Sequence, residues 1–440
     1  MPRIHVLVAA LFALVASTSA TAQNPIAQRV SRAPDGIVRV QFASRPGTCG
    51  DGRDLIGYRK AFFAESMQSF GGHWSAEHCA PGPVRVALSV TDGRVTQLKT
   101  YVGGNWSATT ARVTDLGVVP ASDASAYFFV LVPELEGRSK RERLLIPAVL
   151  ADDASTVPRL IALARDPARA QETRRQAIHW IGLVGDASVV PTLVAFSREA
   201  GSTSVDDDNN DGYGPGEDAI ATAAVAALSF LENGVGVPAL IDAARNGSSK
   251  VRGSAVFWLG QTGDARAISA LHAIIENGRE RESLRARAIF ALAHGDDVPL
   301  REFAYLREIY PRLPSLRLKD AVLMGMTEDH SRDASAWLIA KASDETQSIE
   351  SRKKAIFWAG QRDATPTSEL VAFYRGTRDR ELREHALFVL SQRDDEAAVT
   401  ELLRIAREDS DKQMRGRALF WLGQKDDPRV TKLISDRVTK

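Results

Sequence analysis

From about residue 116 onward the apolar positions fall with the period of an amphipathic helix, in paired segments separated by short Asp-containing turns. The pattern is clearest in VRGSAVFWLGQTGDARAISALHAI, which starts at Val251. The same skeleton recurs with a small or apolar residue at its fifth position, at Leu144, Ala177, Ala224, Ala255, Ala288, Ala321, Ala355, Ala386 and Ala418. Successive anchors lie 33, 47, 31, 33, 33, 34, 31 and 32 residues apart. Two apolar helical segments per unit predict a mainly α solenoid over residues 116–440, because a single unit cannot bury its apolar face and must stack on its neighbours. In each unit the first helix carries the anchor. The second is apolar at helical spacing, as at Val190, Leu193, Val194 and Phe196, and is often entered through a proline such as Pro158, Pro191 or Pro238. Ser122–Val132, with Ser and Asp at its head and Pro133 at its end, reads as a lone helix that caps the stack.

Residues 23–115 follow a period of two instead. Ile37–Phe42, Val84–Val90 and Arg94–Val102 read as strands, the last two joined by Thr91-Asp92-Gly93 as a hairpin. A sheet this small needs a covalent staple. The only two cysteines, Cys49 and Cys79, both fall in this segment, and a bond between them is expected to add roughly 3 to 4 kcal/mol on a chain-entropy model.

The N-terminus has the form of a secretory signal: Arg3, an apolar run over Val6–Ala16, and Ala20-Thr21-Ala22 as the cleavage site, so residues 1–22 are expected to be removed and the mature chain to start at Gln23. This address implies a periplasmic or secreted protein without an integral membrane segment. The chain holds 56 basic and 55 acidic residues, and loss of the leader with its single Arg3 balances the two signs. Nucleic acid, which demands a basic excess, is therefore not an expected partner.

Several rows of side chains follow from the repeat. Three residues after the anchor stand Trp180, Trp258, Trp358 and Trp421, with Ala227, Ala291 and Val389 elsewhere, and these rings are expected to pack between the helices of a unit and against the next unit. An exposed aromatic stripe is the alternative. Three residues before it stand Arg141, Arg174, Arg252, Arg285, Arg352, Arg383 and Arg415, and nine after it Asp153, Asp186, Asp264, Asp297, Asp395 and Asp427. These predict a structural ladder in which each Asp accepts hydrogen bonds from turn N–H groups and from an Arg of a neighbouring unit. A further cationic row, Arg165, Arg198, Arg245, Lys341, Arg375 and Arg407, complements the C-terminal ends of the second helices.

The 47-residue step exceeds its neighbours because of an acidic insertion, 201–218. Asp207, Asn209 and Asp211, then Gly212, the Tyr213 carbonyl and Asp218, have the order of an EF-hand or dockerin-type calcium loop, with Asp218 in place of the usual Glu. The insertion is read either as a weak calcium site or as a flexible acidic loop.

Val251-Arg252, Ala255, Leu259-Gly260, Gly263-Asp264, Ile268 and Leu271 together resemble the HEAT-repeat consensus, in the variety named after phycobilisome linker lyases, and Ser351 and Met414 open similar copies. The resemblance implies a scaffold that holds a protein partner on a concave face lined by second helices. A hydroxylase built from such repeats binds iron through His-Glu pairs, and none of the eight histidines here is followed by Glu. No catalytic constellation stands out. The expectation is a non-catalytic extracytoplasmic scaffold; the alternative is an enzyme or a carbohydrate or small-ligand binder with a site around His73, Trp74 and Trp106, where the sheet module meets the solenoid.

Overall fold

A computed structural model of the chain describes residues 25–59, 61–64, 79–136, 144–199, 220–295, 299–329, 331–425 and 427–430. The leader, His73, Trp74, Arg141, Asp297 and the whole candidate calcium loop (Asp207, Asn209, Asp211, Tyr213 and Asp218) lie outside these residues. The chain forms two compact units, Met1–Ala177 and Ile178–Lys440.

The first unit is built on two small sheets. In chain order the strands are β1 Gly36–Phe42, β2 Thr48–Gly50, β3 Leu55–Tyr58, β4 Ala61–Ala64, β5 Ala80–Pro81, β6 Val84–Thr91, β7 Arg94–Val102 and β8 Val113–Val118. One sheet has the order β7-β6-β1-β8, with β8 parallel to β1 and the other pairs antiparallel. Three of its four strands, β1, β6 and β7, are those expected from the alternation. The hairpin turn places both Asp92 (φ 52°) and Gly93 (φ 70°) in the left-handed region, which suits a two-residue turn between twisted strands. The second sheet, β4-β3-β2-β5, was not legible because its strands are short and lack alternation. A Cys49–Cys79 disulfide joins β2 to the residue before β5, with a Cα–Cα distance of 5.1 Å.

One face of the larger sheet, with Val38, Val40, Phe42, Val84, Val86 and Leu88 fully buried, is covered by helices α1 (Pro25–Ser31) and α2 (Ala121–Leu135). Phe42 and Phe128 meet at 5.8 Å between ring centroids. Pro133 does not end α2. It lies in the final turn, where its missing N–H costs only one helical hydrogen bond. Two short helices follow, α3 Ile146–Leu150 and α4 Thr156–Arg165. Arg45, just beyond β1, ties the sheet to them by donating to the carbonyls of Val149 (3.1 Å) and Asp153 (2.9 Å) and to Thr156 Oγ1 (2.9 Å).

Helix α5 (Gln171–Val184) spans the division, and the second unit continues in helix pairs. The remaining first helices are α7 Ile220–Phe230, α9 Ser249–Gly260, α11 Glu282–Ala293, α13 Leu316–Gly325, α15 Ile349–Gly360, α17 Arg380–Ser391 and α19 Lys412–Leu422. They alternate with second helices α6 Val190–Ser197, α8 Val237–Asn246, α10 Ala265–Glu276, α12 Leu300–Ile309, α14 Arg332–Ser343, α16 Thr367–Gly376 and α18 Glu396–Glu408. The anchors Ala224, Ala255, Ala288, Ala355 and Ala418 are fully buried, as the repeat requires. No helix among the described residues is long and apolar enough to cross a membrane.

Consecutive first helices pack more closely than consecutive second helices. A Cβ placed on Gly260 would lie 2.3 Å from the Ala291 carbonyl oxygen, one on Gly182 2.5 Å from that of Ala227, and one on Gly360 2.1 Å from a Val389 methyl. Those three crossings explain the small members of the tryptophan row. Where the fifth residue after an anchor is Gly, the facing residue is Ala227, Ala291 or Val389; where it is Ser229, Met326 or Ser391, the next unit carries Trp258, Trp358 or Trp421.

Candidate interaction faces

The arginine and aspartate rows are present but do not pair as expected. All but one of the described arginines find a carbonyl at the end of a helix or just beyond it: Arg174 Nε donates to Ala164 O (2.7 Å), Arg252 to Ala244 O (2.8 Å), Arg285 to Ile275 O (2.8 Å) and Arg352 to Ala342 O (2.8 Å). Arg415 reaches Asp409 O at 2.6 Å, and Arg383 binds the Asp409 carboxylate (2.6 Å) and Tyr374 OH (3.1 Å). A guanidinium suits these positions because the last turn of a helix leaves carbonyls without N–H partners and carries partial negative charge.

The aspartates organise the turns, as expected, but without the arginines of that row. Asp186 accepts from Ser188 N, Asp264 from Arg266 N, Asp395 from Ala398 N and Asp427 from Arg429 N, all at 2.8–2.9 Å. The cations that meet them come from two residues away, Arg266, Arg393 and Arg429, since the rigid cap geometry leaves the free carboxylate edge beside its own turn. The hydrogen bonds hold these carboxyls below the usual range. For Asp186 and Asp427 they are the largest influence; for Asp395 burial works upward and is outweighed by Thr367, Ala398 and Arg393.

A ladder that sequence reasoning missed stands seven residues after the anchor. Arg362, 4% exposed, donates to the carbonyls of Met326 (2.6 Å), Thr327 (3.0 Å) and Ser331 (3.0 Å) in the preceding unit. Arg393 in turn reaches Gly360 O, Arg362 O and Thr365 O, and Lys425 reaches Arg393 O. The signal was available in the recurring Gln361-Arg362-Asp363, Gln392-Arg393-Asp394 and Gln424-Lys425-Asp426.

The two exposed faces of the second unit differ in chemistry. Along the second helices charged groups pair with each other: His272 with Glu302 (2.7 Å), Arg307 with Asp329 (2.5 Å), and Glu401 with both Arg375 (2.7 Å) and Arg404 (2.8 Å). A groove of about 660 Å³ between α16 and α18 is lined by Thr367, Val371, Arg375, Thr400 and Glu401, among others. The cationic row expected from the repeat belongs here: Arg245, Lys341, Arg375 and Arg407 stand in last turns and Arg198 caps α6, while in the first unit Arg165 stands in the last turn of α4.

Along the first helices runs a stripe of rings. Trp180 is buried, but Trp258, Trp358 and Trp421 are half-buried and lie between consecutive first helices rather than between the two helices of a unit. Trp258 meets Phe230 at 5.2 Å and Phe257 at 5.2 Å; Trp421 meets Phe388 at 5.3 Å and Phe420 at 5.0 Å. Phe257, Phe290, Phe357 and Phe388 are half-buried, and Phe420 is 55% exposed. Trp358 Nε1 donates to Asp320 (2.7 Å), whereas Trp258 Nε1 is buried without a partner among the described residues, because the residue corresponding to Asp320 is Ala223. His179 extends the stripe at 5.0 Å from Phe230, and burial pulls its pKa down to about 4. The charges beside the stripe are paired across units: Lys354 with Asp320 (3.1 Å) and Arg417 with Glu384 (2.5 Å).

Trp106, placed by sequence in a possible ligand site, lies on the outer face of the larger sheet. Its ring is covered by Arg85 (4.7 Å) and Arg39 (4.9 Å) and meets Tyr101 edge-on at 6.0 Å. Arg85 is held by Gly103 O (2.7 Å) and Gly52 O (3.0 Å), whereas Arg39 Nε is buried with no hydrogen-bond partner among the described residues. Among the described residues no group of His, Cys, Asp and Glu is arranged to hold a metal.

Residues 251–277 match the model of the PBS lyase HEAT-like repeat. No curated protein matches the chain. Among solved structures, the complex of CpcE and CpcF of phycocyanin lyase from Nostoc sp. PCC7120 overlays with 17% identity over 61% of this chain and 94% of that one, at a TM-score of 0.29. Human deoxyhypusine hydroxylase in complex with glycerol overlays with 18% identity over 63% of this chain and 92% of that one, at a TM-score of 0.20. Neither likeness carries chemistry across.

Proposed function

We infer, from a chain that is a HEAT-repeat protein, that it acts as an extracytoplasmic scaffold and holds a protein partner against its first helices. The observation that supports this reading is the stripe of half-exposed rings from Phe257 to Phe420, repeated at one position of every unit but one, where the buried Leu323 stands, and flanked by charges that already have partners. Aromatic side chains that keep one face free and are locked by their neighbours lose little entropy on binding and supply large contact area, the character of interface anchors. The second helices, favoured by the resemblance, present mainly self-paired charges, which would have to be desolvated for modest return.

The address rests on the leader sequence and on the disulfide, which suits an oxidising compartment. Expression in a bacterial host followed by N-terminal sequencing of the exported protein should read Gln23 first; an uncleaved cytoplasmic product would remove the extracytoplasmic part of the proposal. For the face itself, hydroxyl-radical footprinting of the protein with its recovered macromolecular partner should protect Phe357, Phe388 and Phe420. Unchanged oxidation of those rings in a saturated complex would place the partner elsewhere.

A further inference from the structure

The last residue, or nearly the last, of several first helices is a glutamine. Gln261, Gln361 and Gln392 are the capping residues of α9, α15 and α17, and Gln424 follows α19 by two residues. Each stands six residues after its anchor, hence four after a Phe and three after the Trp or Val that follows it. On a helix those separations bring side chains to one face, so the amides lie on the aromatic stripe itself. Gln361, Gln392 and Gln424 are exposed.

The use these amides make of their hydrogen-bonding groups is uneven. Gln261 Nε2 donates across units to the backbone carbonyl of His294 at 3.2 Å, which shows that an amide in this row reaches a peptide group beyond its own helix. Gln392 makes only a local contact, to Ser391 Oγ at 3.3 Å. The side chains of Gln361 and Gln424 make no hydrogen bond among the described residues. No helix-capping task explains them, because the capping N–H groups of Gln361 and Gln392 are on the backbone.

We propose that Gln361, Gln392 and Gln424 read the main chain of an extended polypeptide laid across α15, α17 and α19 between the exposed rings. The inference rests on the reading of this face as the docking surface. A primary amide offers donors and an acceptor together, which complements the C=O and N–H of a peptide and no simple ion. The charges at the edge of the stripe, Lys354, Asp320, Arg417 and Glu384, pair with each other, so the face selects an uncharged segment with apolar side chains. The spacing agrees. Packed helices stand roughly 8–10 Å apart, and three residues of extended polyproline-like chain cover about 9 Å, so one residue in three meets a glutamine and the side chains between fall among the rings.

The test pans the full chain against a phage-displayed library of random 12-residue peptides and titrates a selected peptide by fluorescence anisotropy. Substituting Gln361→Met, Gln392→Met and Gln424→Met together keeps side-chain length and removes the amides; affinity should fall about tenfold or more, as expected for several lost hydrogen bonds. N-methylation of the peptide at one set of every-third residues should weaken binding, while the same change in at least one other set should not. Binding to the methionine variant within about twofold of the parent overturns the inference. So does selection of no linear peptide when a folded partner is lost from a Phe388→Ser, Phe420→Ser variant, a result that leaves the docking face standing. If that serine variant retains every partner and peptide, the docking face itself falls.

Discussion

The first and second helices of the repeat are made from the same period but not for the same purpose. First helices meet at backbone distance over Gly182 and Gly260 and take a Val389 methyl against Gly360, are tied by Arg362, Arg393 and Lys425, and show rings on their free side. Second helices stand further apart, leave a groove between α16 and α18, and cover themselves with ion pairs such as Arg375–Glu401. The difference teaches where rigidity lies. A face made of crowded backbones and interlocked rings is preorganised, whereas a face of long charged side chains is not.

The sharpest way to break this contrast is through the buried ladder. Arg362→Ala removes a buried guanidinium from the carbonyls of Met326, Thr327 and Ser331, of which Ser331 O keeps the Ala334 N–H at 3.3 Å. The expected loss is about 3 to 4 kcal/mol, read from chemical denaturation. A loss under about 1 kcal/mol would mean that water replaces the side chain and that the ladder is decorative. Next comes crowding. Gly260→Ala sets a methyl against the Ala291 carbonyl and should cost about 2 to 3 kcal/mol, whereas Gly376→Ala on α16, where nothing lies within 4 Å, should be neutral or mildly stabilising. Equal responses at the two sites would erase the distinction between the rows.

A pH effect sharpens the comparison from the first-helix side. His179 has a folded pKa of about 4, depressed from its ordinary value of about 6.5. Its neutral form therefore favours the folded state above about pH 6.5, and that contribution is lost as pH falls toward 4. Because the ring is only half-buried, about 1 to 2 kcal/mol is expected between pH 7 and pH 4, and His179→Phe should flatten that part of the stability profile. The smallest effect belongs to the second helices: Arg375→Ala should cost about 1 kcal/mol or less, since its side chain is 54% exposed and Arg404 remains on Glu401. Outside this comparison, calcium titration of the chelator-stripped chain beside an Asp207→Ala, Asp211→Ala variant decides whether the acidic insertion is a weak site; heat that saturates in the parent and vanishes in the variant supports calcium.

The repeat itself was legible because it is written nine times over. Ala255, Leu259 and Ile275 announce a core at fixed spacing, and the fold they imply is the one observed. Strands with clean alternation, such as Val84–Thr91, were equally plain, while Leu55–Tyr58 was not, since its residues are buried in succession. The partners of side chains were harder. A row of Arg and a row of Asp at constant spacing suggested that each completes the other, but spacing along the chain says nothing about which helix end lies nearer, and the carbonyls of Ala244 and Ile275 proved to be the acceptors. The tryptophans were misplaced within the unit for a similar reason: Trp258, Trp358 and Trp421 meet Phe230, Asp320 and Phe388 of the unit before, a relation between neighbours rather than within a unit.

The measurement closest to the central claim compares two variants against the same recovered partner by surface plasmon resonance. Phe388→Ser with Phe420→Ser alters only the first-helix face, and Arg375→Glu with Thr400→Lys only the groove between α16 and α18. The account predicts that the first pair lowers affinity at least tenfold, as expected for loss of aromatic anchors, and that the second leaves it within about threefold. The reverse ordering would contradict it and return the partner to the second helices.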